Sequence, residues 1–217
     1  MTEELSLRER KKIDTARALW RAAMALFVER GFDNVSVAEI AAAVNVSKMT
    51  VFNYFGTKED LVLTPMEEHV GEPAAVVRER AVGESAVAAV RRQFRSGLTA
   101  FDPATGLSNM AGIVDVQRLV RATPALAQRV ATFRERSEDL LATELITQTG
   151  DPGLTPRLAA AQIIAVRHTL IAENNRRMLA GADPKSVLPD ALAHAEHAFD
   201  LLERGLGDYC TRTAPPA

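Results

Sequence analysis

An all-α fold is expected for this chain: an N-terminal three-helix unit followed by a helical bundle. Three observations predict it. Apolar residues recur at three- and four-residue spacing through almost every segment, and no convincing β-branched alternation appears. In the first sixty residues, Ser or Thr repeatedly precedes an acidic residue by three positions, the mark of a capped helix start. Six of the eleven aromatics (Trp20, Phe27, Phe32, Phe52, Tyr54, Phe55) fall within the first 55 residues. A small helical unit needs such large side chains to make a core of its own.

The elements follow in order. Ser6 with Glu9 opens the first helix, which carries Ile13, Ala16, Trp20, Ala23, Met24 and Phe27 on one face and stops at Gly31. Ser36 with Glu39 opens a second, short helix. Val44-Asn45-Val46 forms a tight turn, where Asn is the best non-glycine residue for a left-handed backbone. Ser47 caps a third helix that ends at Gly56, and Thr57 with Asp60 starts a fourth. Pro65, which lacks a backbone donor, must kink or end that fourth helix, as an ordinary helix end or as a hinge. Beyond it, punctuation at Gly71-Glu72-Pro73, Gly83, Asp102-Pro103, Pro124, Gly150 to Gly153 and Gly181 to Pro184 divides the chain into about five further helices packed as one bundle.

Composition sets outer bounds. With 217 residues, 47% hydrophobic and 25% charged, the chain is long enough for one large domain or two modest ones. A formal net charge of −2 rules out a generally polycationic nucleic-acid binder, so any DNA contact must come from a local patch. The single cysteine, Cys210, has no internal partner and fits a reducing compartment. Neither a secretion signal nor the roughly 20 apolar residues of a membrane span is visible. A cytoplasmic protein without membrane association is the expectation.

Residues 36 to 55 carry the chemistry. Val37, Ile40, Ala41 and Val44 form one apolar stripe. Val46, Val51 and Phe55 form another, so the two short helices close on each other and on Phe27. What remains on the third helix is Lys48, Met49, Thr50, Phe52, Asn53 and Tyr54. That set offers a cation, short hydrogen-bonding groups, an amide able to read adenine and apolar surface for thymine methyls. Lys58 follows at a helix start, where charge and dipole both attract phosphate. An ordinary helical hairpin would leave Met49 and Phe52 exposed without reason. Arg8, Arg10, Lys11, Lys12 and Arg17 form either a phosphate anchor or a solvated face, because acids and bases balance at nine each over residues 1 to 60.

With Phe32, Ser36, Ala38-Glu39-Ile40-Ala41, Val46-Ser47-Lys48, Thr50, Tyr54-Phe55 and Lys58-Glu59, this region resembles the N-terminal domain of tetracycline-repressor (TetR) family regulators. The likeness runs over roughly residues 8 to 65. It implies a helix-turn-helix domain at 8–56 with its motif at 36–55 and a ligand-binding and dimerisation domain at 57–209; the sequence from Cys210 itself reads as a disordered tail at 210–217. It implies a homodimeric repressor that binds a palindromic double-stranded DNA operator and leaves it when a small hydrophobic effector binds. An activator or a ligand-independent regulator would share the fold. By the same resemblance Lys48, Thr50, Asn53, Tyr54 and Lys58 touch DNA, with Ser36 near the backbone and Met49 and Phe52 at the base-choosing surface. Three positions depart from the family pattern: Asn45 replaces a turn glycine, Met49 a small residue, and Phe52 a tyrosine.

The later sequence is less specific. Helices near 156–180 and 185–206 are apolar on more than one face and are the dimer candidates. The first carries Leu158, Ile163, Ile164, Val166, Leu170 and Ile171. The second carries Val187, Leu188, Leu192, Ala195, Phe199 and Leu202. An effector cavity is expected among Phe94, Phe101, Met110, Leu119, Phe133 and Met178, with Arg118 and His168 as polar anchors. His194 and His197 share a helix face, but two ligands do not make a metal site, and neither metal nor cofactor is expected. A small helical enzyme is the competing class. No glycine-rich phosphate loop, nucleophile elbow, metal-ligand cluster or plausibly reactive cysteine supports it.

Overall fold

The computed structural model describes residues 6–110, 112–206 and 209–212. Among these, ten α-helices and one 3-10 turn occur and no strand. The helices are α1 (Leu7–Arg30), α2 (Val37–Ala43), α3 (Lys48–Phe55), α4 (Asp60–Glu67), α5 (Glu72–Glu79), α6 (Ala86–Ala100), α7 (Ile113–Ala122), α8 (Pro124–Thr149), α9 (Leu154–Leu179) and α10 (Pro184–Leu206). The 3-10 turn spans Pro103–Thr105. Six helices therefore follow α4, one more than the punctuation suggests. Asp102-Pro103 opens the 3-10 turn, and α7 is set off separately by Thr123-Pro124.

The chain folds as two compact units. One comprises residues to Pro65 together with Asp115–Gln128, the other Met66–Val114 with residues from Arg129 on. The first unit thus runs past residue 56 and takes in a later segment that sequence order alone does not reveal.

In the first unit, helix starts are set locally. Ser6 and Ser36 each accept from the backbone N–H three residues on, and the Glu9 and Glu39 carboxylates accept in turn from the cap residue's own N–H. Thr57 and Asp60 exchange the same reciprocal pair at 2.9 and 3.2 Å. Gly31 and Gly56 close α1 and α3 with positive φ. Burial along α1 begins at Leu19 and continues through Ala23, Met24 and Phe27. The expected stripe is corrected at its start: Ile13 is 36% exposed and Leu19 fully buried. Phe27 and Phe32 pack with ring centroids 5.0 Å apart, and Val35, Val37, Ile40, Ala41, Val51, Leu61, Val62 and Leu63 are buried as well. Pro65 lies inside α4, which ends two residues later at Glu67.

The second unit has a continuous core. Val87, Val90, Phe94 and Leu98 of α6 join Leu141 and Leu145 of α8, Ile163 and Leu170 of α9, and Val187, Ala195 and Phe199 of α10. Phe94 and Phe199 meet at 6.2 Å. Arg91 on α6 binds Glu196, Asp200 and Glu203 along α10, while Arg95 reaches Glu196 at 2.5 Å. Close approach between the 3-10 turn and α9 needs Gly106, with φ of 75°. A Cβ there would stand 2.5 Å from the Ile171 carbonyl oxygen. Beside it, Asn174 donates to the Thr105 carbonyl at 2.8 Å.

The expected disordered tail is described as far as Arg212. Its backbone exchanges bonds with Gly83 and Glu84, and the buried Arg80 guanidinium donates to the Cys210 carbonyl. Residues 213–217 lie outside the described residues.

Candidate nucleic-acid interface

The helix-turn-helix is built by one backbone device and one buried side chain. Asn45 takes φ of 56°, the left-handed value that reverses the chain between α2 and α3. Val46 N–H then bonds back to the Ala41 carbonyl at 3.0 Å, fastening the turn to α2. On α3 only Val51 is fully buried, at 1% exposure. Val44, Val46 and Phe55 are half-buried beside it.

That arrangement turns the rest of α3 outward. Lys48, Met49, Phe52 and Asn53 are exposed, Met49 at 67% and Phe52 at 37%. Thr50 and Tyr54 are half-buried at the edges of the face. Ser47 caps the helix by accepting from Thr50 N–H at 3.0 Å, and its hydroxyl also meets the Thr50 hydroxyl at 2.8 Å. The remaining N–H groups of the first turn are oriented for an anion. No acidic residue occurs between Glu39 and Glu59, so the helix surface carries Lys48 without a countercharge of its own. The Lys48 ammonium stands 5.7 Å from the Phe52 centroid.

The flanking expected contacts divide. Lys58 is half-buried, with Nζ 4.3 Å from the Phe32 centroid. Ser36 is exposed, but its hydroxyl donates to Glu39 and accepts from Glu39 N–H as the cap of α2. Glu39 is bound in addition by Arg30 at 2.7 Å. The backbone and hydroxyl of Ser36, then Arg30, hold its carboxyl down to about 2. This brace ties the end of α1 to the start of α2, a role that sequence spacing shows only for its Ser36 half. Arg8, Arg10, Lys11, Lys12 and Arg17 are all exposed on the early turns of α1.

The residues expected to line an effector cavity do not share one environment. Phe94 and Met178 are packed in the core of the second unit, with Phe101 half-buried against it. Phe133 is buried outside that cluster, and Met110 is 57% exposed. Arg118 and Leu119 belong to the first unit; Leu119 is buried, and Arg118 is exposed and paired with Asp115 at 3.2 Å. His168 is exposed; partial desolvation and then the charge of Arg134 hold its imidazole below the usual histidine range. His194 and His197 are exposed, and no group of three metal-ligating side chains occurs among the described residues. No helix among them is long and apolar enough to cross a membrane.

A buried polar cluster of the second unit lies elsewhere. Arg167 of α9 is 8% exposed and bonds Glu72 of α5 at 3.2 Å. Glu72 also takes a bond from Gln93 of α6 at 3.3 Å and meets His69 Nδ1 at 2.6 Å. Burial opposes ionisation of Glu72, but His69, Arg167 and Gln93 outweigh it and hold the carboxyl below its ordinary value. The bond to Glu72 correspondingly lifts His69 above the ordinary histidine value. Burial pushes the Arg167 guanidinium downward, and its Nε–H has no acceptor. Sequence reasoning passed over this cluster, because Arg167 and Glu72 stand 95 residues apart.

Comparison with known proteins agrees with the geometry of the first unit. Residues 19–64 match the family model of bacterial regulatory proteins, tetR family. The HTH-type transcriptional regulator TcmR of Streptomyces glaucescens is 31% identical over 175 residues, covering 77% of this chain and 76% of that protein. Among solved structures, GusR of Salmonella enterica superposes with a TM-score of 0.55 at 17% identity, covering 93% of this chain and 98% of that one. A SmeT–triclosan complex gives a TM-score of 0.58 at 16% identity, covering 94% and 98%. With its helix-turn-helix in place and its likeness to TcmR running through three-quarters of both chains, this protein belongs to the tetR family of bacterial DNA-binding transcriptional regulators.

Proposed function

We propose that the chain acts as a homodimeric repressor of a palindromic operator and is released by a small apolar effector. The family regulates transcription and does not turn over substrate, so the helical-enzyme alternative falls away. The observation that carries the reading is the composition of α3: Val51 anchors it, and Lys48, Met49, Phe52 and Asn53 face outward.

In this reading Asn53 reads a base edge, Met49 and Phe52 contact thymine methyls or sugar, and Lys48 and Lys58 bind phosphate. Thr50 and Tyr54 bind at the margins of the helix, and Ser36 presents the α2 N-terminus to the backbone. Two such helices in one dimer occupy successive major grooves about 34 Å or a multiple of it apart, which makes the operator palindromic.

Exposed leucines support dimerisation through α9 and α10. Leu158 is 50% exposed and Leu201 54% exposed, and neither belongs to the core of its own chain. Effector binding extends to this chain what the SmeT–triclosan complex displays for another member of the fold, a small molecule held by the protein. An effector that prefers one conformation of the second unit shifts the dimer away from the operator spacing.

Gel shifts on the promoter region beside the chain's own gene test the reading. Expected is a complex of dimer stoichiometry that dissociates when an apolar effector raises thermal stability. A ligand that stabilises the protein and leaves DNA affinity untouched would overturn effector release. Transcription that falls on deleting the gene would replace the repressor with an activator.

A further inference from the structure

We propose that Arg167 is the polar anchor of the effector site and that the effector is an apolar weak acid, held through its anionic oxygens. This deepens the effector-release reading above and rests on it.

The position of Arg167 argues for a receptor rather than a simple strut. It sits in the middle of the α9 stripe whose other members, Ile163, Ile164, Leu170 and Asn174, are buried in the second unit. Apolar neighbours make a cation there costly unless its donors are met. A guanidinium carries five N–H donors in a planar fork. Among the described residues one ion pair is made, NH2 to Glu72 at 3.2 Å, and the Nε–H is buried without an acceptor. The edge of the fork holding Nε is the edge that binds a carboxylate or an ionised phenol through two parallel bonds.

Glu72 is a carboxylate already divided among three donors. His69 and Gln93 hold it as well as Arg167, so its oxygens are not free to saturate the guanidinium. Asp102 acts on both His69 and Arg167 electrostatically, but its side chain accepts from Ala104 N–H as the cap of the 3-10 turn. A ligand anion therefore adds to Arg167 what the protein leaves unmade. It also competes with Glu72, which stands seven residues beyond Pro65, where the first unit gives way to the second. Aliphatic side chains along the same α9 face suit the apolar body of such a molecule.

Matched acid and amide pairs test this on the full-length protein: 2-naphthoate with 2-naphthamide, biphenyl-4-carboxylate with its amide, and decanoate with decanamide. Binding is read by titration calorimetry and by DNA affinity in gel shifts. Expected is a preference of about 10-fold or more for the acid in at least one pair. Arg167→Met should erase that preference, whereas Glu72→Gln should strengthen acid binding by removing the competing carboxylate. A purely structural role for the pair predicts that both substitutions weaken binding alike. Should Arg167→Met fail to fold, the wild-type preference and the sign of the Glu72→Gln change still decide. Acids and amides binding equally, or Glu72→Gln weakening acid binding, would overturn the anchor and leave effector release standing. If no member of any pair binds or changes DNA affinity, both readings fall.

Discussion

The Lys58 ammonium rests 4.3 Å from the ring centroid of Phe32 and 5.8 Å from that of Phe27. A cation over an aromatic face is attracted by about 0.5–1 kcal/mol at a partly exposed site. Two buried rings that form the core of the first unit thus also fix a long, flexible side chain just after the recognition helix. If Lys58 binds phosphate as proposed, preordering of this kind reduces the rotamer entropy lost on contact.

Lys58→Met should therefore weaken binding to every DNA sequence alike and reduce the salt slope by about one unit. Its apolar stem still covers Phe32, so the urea midpoint should fall less than for Lys58→Ala. Fluorescence anisotropy at several salt concentrations checks the first point. An unchanged slope would remove Lys58 from the phosphate contacts.

Asn53→Ala should behave differently. An exposed amide on α3 that reads one base pair through two hydrogen bonds contributes roughly 1–3 kcal/mol of discrimination. Competition against operator variants should then show lost preference at one position in each half-site. Uniform weakening across all variants would place Asn53 on the phosphate backbone instead.

The turn makes a separate prediction about backbone. Asn45 holds φ of 56°, which a β-branched residue adopts only under strain. Asn45→Val should destabilise the protein by roughly 1–2 kcal/mol, while Asn45→Gly should leave stability near wild type. Thermal unfolding of the two variants checks this; equal losses would mean that the Asn side chain, not its φ, matters.

These features differ in how visible they are in sequence. Ser6 with Glu9, Ser36 with Glu39 and Thr57 with Asp60 are legible because their bonds join residues three apart. Asn45 is legible because few residues tolerate its backbone. The register of α1 is not: Ile13 and Leu19 both fit a helical stripe, and tertiary contacts decide which is buried. Arg118 and His168 are polar residues on otherwise largely apolar helices, and both are exposed. Arg167 looks the same in sequence and is the buried one, because its partner, Glu72, comes from α5, 95 residues away.

The pair of His69 and Glu72 should give stability a pH window. His69 is raised by Glu72, so its contribution is complete below the ordinary histidine value of 6.5 and is lost as pH rises through its elevated pKa. Glu72 is lowered, so its contribution is complete above 4.5 and is lost as pH falls through its depressed pKa. Urea unfolding should show the wild type's advantage over His69→Gln greatest between those two values, fading as pH rises above 6.5 and as it falls below 4.5. A constant difference across the range would mean that the imidazole acts by packing alone.

The dimer prediction turns on side chains that the chain's own core leaves out. On α9 and α10 the buried positions, Ile163, Leu170, Ala195 and Phe199 among them, already pack within one chain. Leu158 and Leu201 do not, at 50% and 54% exposed. Burying one leucine fully contributes about 1.5–3 kcal/mol, and a two-fold interface uses each substituted position twice. Leu158→Glu with Leu201→Glu should thus bring four carboxylates to the interface without disturbing the core. Light scattering should report a monomer with an unchanged far-UV spectrum. Operator affinity should fall far more than affinity for a single half-site, since only the dimer engages both grooves. A double variant that remains dimeric would move the interface away from these faces of α9 and α10.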